Sequence, residues 1–416
     1  MSRKYDRDVQ YYKFCTYGFL KNLRFFEPFL ILFFVETGLT YLQIGTLYAV
    51  REISTGILEI PTGIVADSLG RRRTMICSFI SYVLSFLIFF CSGKYLLFIP
   101  AMILFSFGEA FRTGTHKAMI FEYLVIKGWD DQKVHYYGHT RSWAQIGSAI
   151  SSLIAAYIVF YSGSYSHIFL YATIPYVVNL FLIITYPKEL DGTKRHLQGA
   201  EIKQNFIRVI KEFIYSFKNS NTLSAITNLS LFSGFHRATK DYLQPIMAAF
   251  ALSLPVFLSL DDNRRSAFVI GIVYFIIFIL TSIASRRSGK SAERFQHISV
   301  PLNITMTVGL FMGALIGFFY NLQFTIVSIL LYIGVYLIQN LRKPMGISYV
   351  SDMVQQSILA TALSAESQIT TLFTAIIAIS IGLCADHFGI GNAMIIISLA
   401  LLLTTPMFHA RDKKKQ

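Results

Sequence analysis

Residues 63–73 read GIVADSLGRRR and lie between two apolar segments, at about residues 42–62 and 74–92. The stretch is short and ends in three successive arginines, Arg71 to Arg73. Guanidinium groups are too costly to place in hydrocarbon, so this turn is expected at a membrane surface. Because basic residues concentrate in cytoplasmic loops, the turn is predicted to face the cytoplasm.

The composition indicates an integral membrane protein, since 54% of the 416 residues are hydrophobic and only 14% are charged. The net charge of +14 resides mainly in short loops between apolar segments, which argues against nucleic-acid binding. The four cysteines have no CxxC spacing and predict neither a metal site nor a disulfide. No catalytic motif is found, so neither an enzyme nor a cofactor is predicted.

The hydropathy pattern predicts twelve membrane-spanning helices, because apolar segments near the bilayer-crossing length of about 20 residues recur along the chain. We place them at about residues 11–36, 42–62, 74–92, 95–118, 138–161, 165–187, 221–250, 266–285, 298–319, 323–345, 360–384 and 391–409. Loops after even-numbered spans carry most of the positive charge. This asymmetry predicts a multi-pass protein of the cell (inner) membrane with both termini in the cytoplasm.

A polar stretch after Pro187 predicts two halves, residues 1–187 and 221–416, joined by a cytoplasmic linker at 188–220. Apolar residues at helical spacing between 202 and 217 predict an amphipathic helix on the membrane surface, with a solvated linker helix as the alternative. An internal repeat supports the two halves. Arg112 precedes Glu122 by the same interval by which Arg342 precedes Asp352, in spans four and ten.

The spacing within residues 63–73 resembles the loop-2–3 signature of the major facilitator superfamily, Gly-x-x-Ala-Asp-x-x-Gly-Arg-Arg/Lys. The resemblance implies an all-α membrane protein in which twelve transmembrane helices form two pseudo-symmetric six-helix bundles. It also implies a cytoplasmic gate, to which we assign Glu59, Gly63, Asp67, Gly70, Arg71, Arg72, Glu122 and Asp352. A second Gly-x-x-Ala-Asp, at residues 382–386, lacks the arginines and is interpreted as a helix-packing turn.

Ionisable residues occur in spans one, two, four, five, seven, ten and eleven. In that superfamily, spans one, four, seven and ten line the central cavity, and spans two, five, eight and eleven flank the interface between the halves. Charge at bilayer depth is costly and usually faces a cavity or a partner. The candidates for a substrate or proton cavity are Arg24, Glu27, Glu109, Arg112, His116, Arg237, Asp241, Gln339 and Arg342. Structural ion pairs and packed histidines are the alternative interpretation of these residues.

Two resemblances suggest a cargo and a coupling ion. Arg112 with Thr113-Gly114 resembles the span-four arginine motif linked to proton coupling, and Glu27 resembles the span-one acid of proton-coupled drug exporters. They imply a proton-coupled exporter of drug-like compounds that works by alternating access, and we expect the protein to be a monomer. The span-five Gly-Pro of many antiporters is absent, and basic residues outnumber acids on the lining spans. A carrier of an organic anion or metal chelate is therefore one alternative, and a non-transporting membrane receptor is another.

Overall fold

The computed structural model describes residues 6–129, 132–191, 220–256, 258–292, 295, 297–353 and 359–410. Within these ranges the regular structure consists of α-helices and short 3-10 turns, with no β-strand. The amphipathic helix predicted between 202 and 217 lies outside the described residues.

The helices are, in chain order, α1 (Val9–Lys21), α2 (Leu30–Glu36), α3 (Tyr41–Leu69), α4 (Arg71–Cys91), α5 (Tyr95–Arg112), α6 (Thr115–Lys127), α7 (Lys133–Ser162), α8 (His167–Ile184), α9 (Ser220–Thr239), α10 (Leu243–Ser253), α11 (Asp262–Ala292), α12 (Ser299–Asn321), α13 (Thr325–Met353) and α14 (Leu359–Thr404). The 3-10 turns are Glu27–Phe29, Lys188–Asp191, Lys240–Tyr242 and Thr405–Phe408. Gly389 has a non-helical backbone (φ 81°, ψ 162°) and divides α14 into two parts, as predicted for spans eleven and twelve.

Eight helical segments among the described residues are long and apolar enough to cross a membrane. This agrees with a multi-pass, all-helical membrane protein, whereas the exact number of twelve stays a prediction. The predicted spans one and seven are each divided into shorter helices, α1 with α2 and α9 with α10. None of these four pieces combines the length and the hydropathy of a complete span.

The helices form two compact units. Among the described residues, the first unit comprises 6–29 and 54–191. Within it α4 packs on α5 and α8, while α1 packs on α7. The contact between α1 and α7 depends on Gly147, where a methyl group would lie 2.5 Å from the carbonyl oxygen of Phe19. Such close backbone approach at small residues is a common way to pack helices in a membrane.

The second unit comprises residues 30–53 and, from the described part of the C-terminal half, 220–410. In it α9 packs on α14, α12 packs on α13 and α14, and α11 packs on α13. Residues 30–53, which include α2 and the first part of α3, belong to this unit by their contacts rather than to the first one. The division at 187 and 221 stays a prediction.

The structure changes the interpretation of residues 63–73. We expected a loop, but α3 continues to Leu69 and α4 begins at Arg71, so that Gly70 alone forms the turn. Gly70 has φ 94°, a backbone conformation that glycine adopts without steric cost. Because this one residue is enough to form the turn, residues 63–69 can remain part of helix α3. Gly63 and the side chain of Asp67 lie outside what the structure describes in detail.

Candidate functional site

Three of the four predicted cavity-lining spans are interrupted where their charged residues occur. Span one breaks between α1 and α2, close to Arg24 and Glu27. Span four breaks directly after Arg112, and span seven breaks in a 3-10 turn that contains Asp241. Interrupted helices leave backbone polar groups unpaired at membrane depth, and transporters use such breaks to bind solutes and ions.

Glu109, on α5, lies at the centre of an ionic network in the first unit. Arg24 Nη2 donates to both Glu109 carboxylate oxygens, at 3.0 and 3.2 Å. The Tyr82 hydroxyl donates to the same carboxylate at 2.5 Å, and Arg112 Nη2 also pairs with it. Arg112 Nε in turn donates to the Tyr82 hydroxyl at 3.2 Å. We call these four residues, together with the nearby Lys21, the Glu109 cluster.

The network is only partly shielded, because about a quarter of the Glu109 side chain (24%) and a fifth of the Arg24 side chain (21%) are exposed. A single carboxylate shared by two guanidinium groups is held by charge-assisted hydrogen bonds, which are stronger than neutral ones. Protonation of Glu109 would remove the charge that attracts both arginines. The two ion pairs therefore depend on the ionised form of Glu109.

His116, on α6, takes part in aromatic packing beside this cluster. Its ring stacks on Tyr17 with the ring centroids 3.6 Å apart, and its Nε2 lies 3.3 Å from the Tyr186 hydroxyl. These contacts match the packed-histidine alternative. Glu27 occupies the first position of the 3-10 turn before α2 and is half-buried.

A second polar cluster forms within the second unit around the break of span seven. Tyr48 donates to Asp241 Oδ2 at 3.0 Å, and Lys240 Nζ lies 3.4 Å from Asp241 Oδ1. Arg237 pairs with Glu52 at 3.5 Å. Arg237 and Asp241 are four residues apart, but the 3-10 turn interrupts the helix and gives each residue a different partner. Glu52 also binds its neighbour Arg51, at 3.0 Å.

The two remaining candidates lie on α13. Gln339 is half-buried, and its Nε2 donates to the Ser233 hydroxyl at 3.1 Å.

Arg342 is only 2% exposed, and its guanidinium is held by α9 and α12. It donates to Asn228 Oδ1 at 2.9 Å, to Thr305 Oγ1 at 2.8 Å and to the Leu302 carbonyl oxygen. We expected Arg342 to line a cavity, yet its donors are engaged inside the second unit. Burial with several acceptors fits a structural role instead.

Three of the predicted gate residues, Arg71, Arg72 and Glu122, form polar contacts within the first unit. Arg71 pairs with Glu122 at 3.1 Å. The Arg72 backbone N–H donates to the carboxylate of Asp191 at 2.7 Å, and Arg72 Nη1 donates to the Tyr186 carbonyl oxygen at 3.0 Å. Arginines at a helix N-terminus oppose the helix dipole, and the two carboxylates offset this. The side chain of Asp352 lies outside the described part of the chain, and Glu59 is half-buried on α3.

The second Gly-x-x-Ala-Asp sequence packs against the start of α3, as its interpretation as a packing turn predicts. Asp386 accepts hydrogen bonds from the backbone N–H groups of Tyr41, at 2.7 Å, and Leu42, at 2.8 Å. Gly382 lies directly against the Tyr41 carbonyl, where a side chain would clash. Asp386 therefore acts as a cap for α3 supplied from a distant part of the sequence.

Sequence reasoning missed three residues that complete these clusters: Tyr82, Tyr48 and Asp191. The two tyrosines lie in apolar spans and give no charge signal. The one indication that the sequence offers is the residue type, because a buried tyrosine hydroxyl usually requires a hydrogen-bond partner. Asp191 stood out only as one polar residue in the predicted linker.

Comparison with known proteins agrees with this architecture. A family model described as "Major Facilitator Superfamily" matches residues 14–365. The "Uncharacterized MFS-type transporter YxaM" of Bacillus subtilis (strain 168) is 20% identical over 412 residues, which cover 97% of this chain and 96% of that protein.

Among solved structures, the nucleoside transporter NupG has a TM-score of 0.77 at 15% identity and covers 97% of this chain and 100% of its own. The peptide transporter POT in complex with sulfate has a TM-score of 0.69 at 15% identity, with 98% and 96% covered. At these identities the structural likeness shows the fold alone. The family match extends over most of the helices described above and confirms the resemblance found in residues 63–73. The chain belongs to the Major Facilitator Superfamily, a family of membrane transporters and not of enzymes.

Proposed function

We propose that the chain is a secondary active transporter that exports a small, amphipathic organic solute by alternating access, with protons as the coupling ion. It would work as a monomer in the cell (inner) membrane with both termini in the cytoplasm. The observation that carries the proposal is the coincidence of helix breaks with charged residues in spans one, four and seven. In a transporter family, such breaks are where solutes and ions bind.

Glu109 is our candidate for the proton-binding group. It is partly exposed, and it is the carboxylate that holds both Arg24 and Arg112. A proton on Glu109 would weaken both ion pairs, because a neutral carboxyl group no longer attracts the guanidinium charges. Rearrangement of the two arginines would then link proton binding to the state of the solute site.

The amphipathic character of the solute is suggested by the aromatic rings beside the Glu109 cluster. Tyr82 and Tyr176 have ring centroids 5.0 Å apart, and Tyr17 stacks on His116. Aromatic side chains offer large apolar contact areas with polar ends, which suits drug-like molecules. Export is suggested by Glu27, at the break of span one, through its resemblance to the span-one acid of proton-coupled exporters.

The proposal is tested with purified protein in liposomes that contain a pH-sensitive dye. A panel of organic compounds is applied with and without a pH gradient. With wild-type protein, we expect the transport of one compound class to be accompanied by proton movement. The Glu109→Gln variant should exchange that solute without proton movement. Glu189→Gln serves as the matched control, since Glu189 is exposed in the 3-10 turn after α8. Solute flux that neither responds to a pH gradient nor is accompanied by proton movement would refute proton coupling. A lack of any flux would favour the alternative of a non-transporting membrane receptor.

The direction and the cargo class are tested in cells. Growth inhibition by a panel of toxic compounds is compared between cells with and without the protein. An exporter of drug-like compounds raises the tolerated concentration of some of them. Unchanged or greater sensitivity to the entire panel would contradict drug export.

A further inference from the structure

We infer that the Glu109 cluster is a binding subsite for the anionic group of the transported solute, and that a group rich in hydrogen-bond acceptors, such as a phosphate monoester, fits it best. This inference rests on the proposed transport function and specifies the substrate class. It is carried by the charge balance of the cluster and by hydrogen-bond donors that the protein itself does not use.

The charge balance around Glu109 is positive. Glu109 is paired with Arg24 and Arg112, and further charges close enough to act on these residues are Lys21, Arg141 and Glu27. The contacts that the structure shows are two guanidinium groups on one carboxylate, which leaves a net charge of +1 in the paired core of the cluster. Excess charge of one sign in a membrane protein is costly, and it is reduced by a ligand of opposite sign.

Several donors in the same place lack an acceptor. The Arg24 Nε and the Tyr17 hydroxyl are buried, and no described residue accepts a hydrogen bond from either. Tyr17, only 3% exposed, lies next to Arg112. The structure also gives no hydrogen-bond acceptor for the Lys21 ammonium group among the described residues.

All three unused groups can donate, and two of them, the ammonium and the guanidinium, can only donate. A buried donor without a partner costs free energy, which an oxygen of a bound ligand would recover. The site thus requires a ligand rich in acceptors and of negative charge. Phosphate and carboxylate groups have that character and match the guanidinium fork.

The experiment measures binding to the purified full-length protein by calorimetry, with three probes that share a benzene ring and differ in charge. Phenyl phosphate is a dianion, benzoate a monoanion and benzyltrimethylammonium a cation, all compared at equal ionic strength. We expect affinity to fall in that order. Lys21→Gln should weaken phenyl phosphate binding about tenfold to hundredfold, the effect of losing one charge-assisted hydrogen bond. Tyr17→Phe should weaken it about twofold to tenfold.

Two further variants separate a binding effect from a folding defect. Glu109→Gln should tighten phenyl phosphate binding, because it removes the internal anion that competes for Arg24 and Arg112. Damage to the fold would not have this sign. Lys13→Gln and Tyr12→Phe are the matched controls, since both residues lie on α1 outside the cluster and should bind like wild type.

Equal affinity for the three probes, tighter binding of the cation, or equal losses in the control variants would overturn the inference. So would an absence of probe binding to the wild-type protein. The liposome flux assay is read separately. Flux of an organic solute without anion binding removes the anion subsite and keeps the transporter, whereas anion binding without any flux keeps the subsite and removes the transporter.

Discussion

Replacement of Asp386 by alanine should loosen the beginning of α3. The Asp386 carboxylate accepts hydrogen bonds from the Tyr41 and Leu42 backbone N–H groups, at 2.7 and 2.8 Å. These groups belong to the first turn of α3, where no helical carbonyl is available to them. Alanine at 386 leaves both donors to water and removes a negative charge from the positive end of the helix dipole.

The size of the effect follows from the two contributions. Loss of a helix N-cap costs about 0.5–2 kcal/mol, and loss of a favourable charge at a helix terminus costs about 0.3–1 kcal/mol. Because Asp386 is exposed, solvent screens the second contribution, and we expect a total of about 1.4 kcal/mol. That free energy corresponds to an increase of about tenfold in the opening equilibrium of the first turn.

Hydrogen exchange of the purified protein, followed by mass spectrometry, measures this opening directly. The amide hydrogens of Tyr41 and Leu42 should exchange about tenfold faster in Asp386→Ala. Asp386→Asn should lie between the variant and wild type, since its amide oxygen remains as an acceptor. Asp261→Ala is the control, because Asp261 accepts from the Arg264 N–H at 2.9 Å and should change exchange only at α11. Unchanged exchange at residues 41 and 42 in Asp386→Ala would refute the reasoning.

Three other substitutions test the packing and the ionic contacts, each by thermal unfolding in detergent. Gly147→Ala should destabilise by about 1–3 kcal/mol, because the methyl group meets the backbone of α1, whereas Gly138→Ala on the same helix meets open space and should not destabilise. Arg342→Met should lower stability by about 1–3 kcal/mol, because it leaves buried acceptors such as Asn228 Oδ1 and Thr305 Oγ1 without a donor. It should leave phenyl phosphate affinity unchanged, and a large loss of affinity without unfolding would contradict the structural role of Arg342. A double-mutant cycle of Arg71→Gln and Glu122→Gln should give a coupling of about 0–1 kcal/mol, since the pair is partly exposed, and a much larger value would contradict that reading.

Much of the helical architecture was predictable because hydropathy is a local property of the sequence. The division of α14 at Gly389 agrees with the predicted gap between spans eleven and twelve. The extent of the turn after α3 was predicted less well. Polar and basic residues at 63–73 suggested a loop. Helix α3 instead continues through Leu69 and ends only at Gly70, which has a positive φ.

The candidate site was predictable in its residue types and only partly in its contacts. Arg24, Glu109 and Arg112 were expected at bilayer depth, and they do meet. Arg237 and Asp241 are four residues apart yet bind different partners, because helical spacing applies only while the helix is continuous. Tyr82 was missed, since a hydroxyl in an apolar span has no signature until its acceptor is known.

By itself the sequence determined the membrane environment, the family signature and the positions of most helices, because these depend on residues close together along the chain. Only the tertiary structure decided which charged side chains remain partly exposed and which are buried and hydrogen-bonded within the protein. Arg112 and Arg342 occupy matching positions of the predicted internal repeat, yet one shares a carboxylate with Arg24 and the other is enclosed by neutral acceptors of α9 and α12. The physical reason is that the energy of a buried charge depends on the groups that surround it in space, and those groups come from helices far apart in the chain.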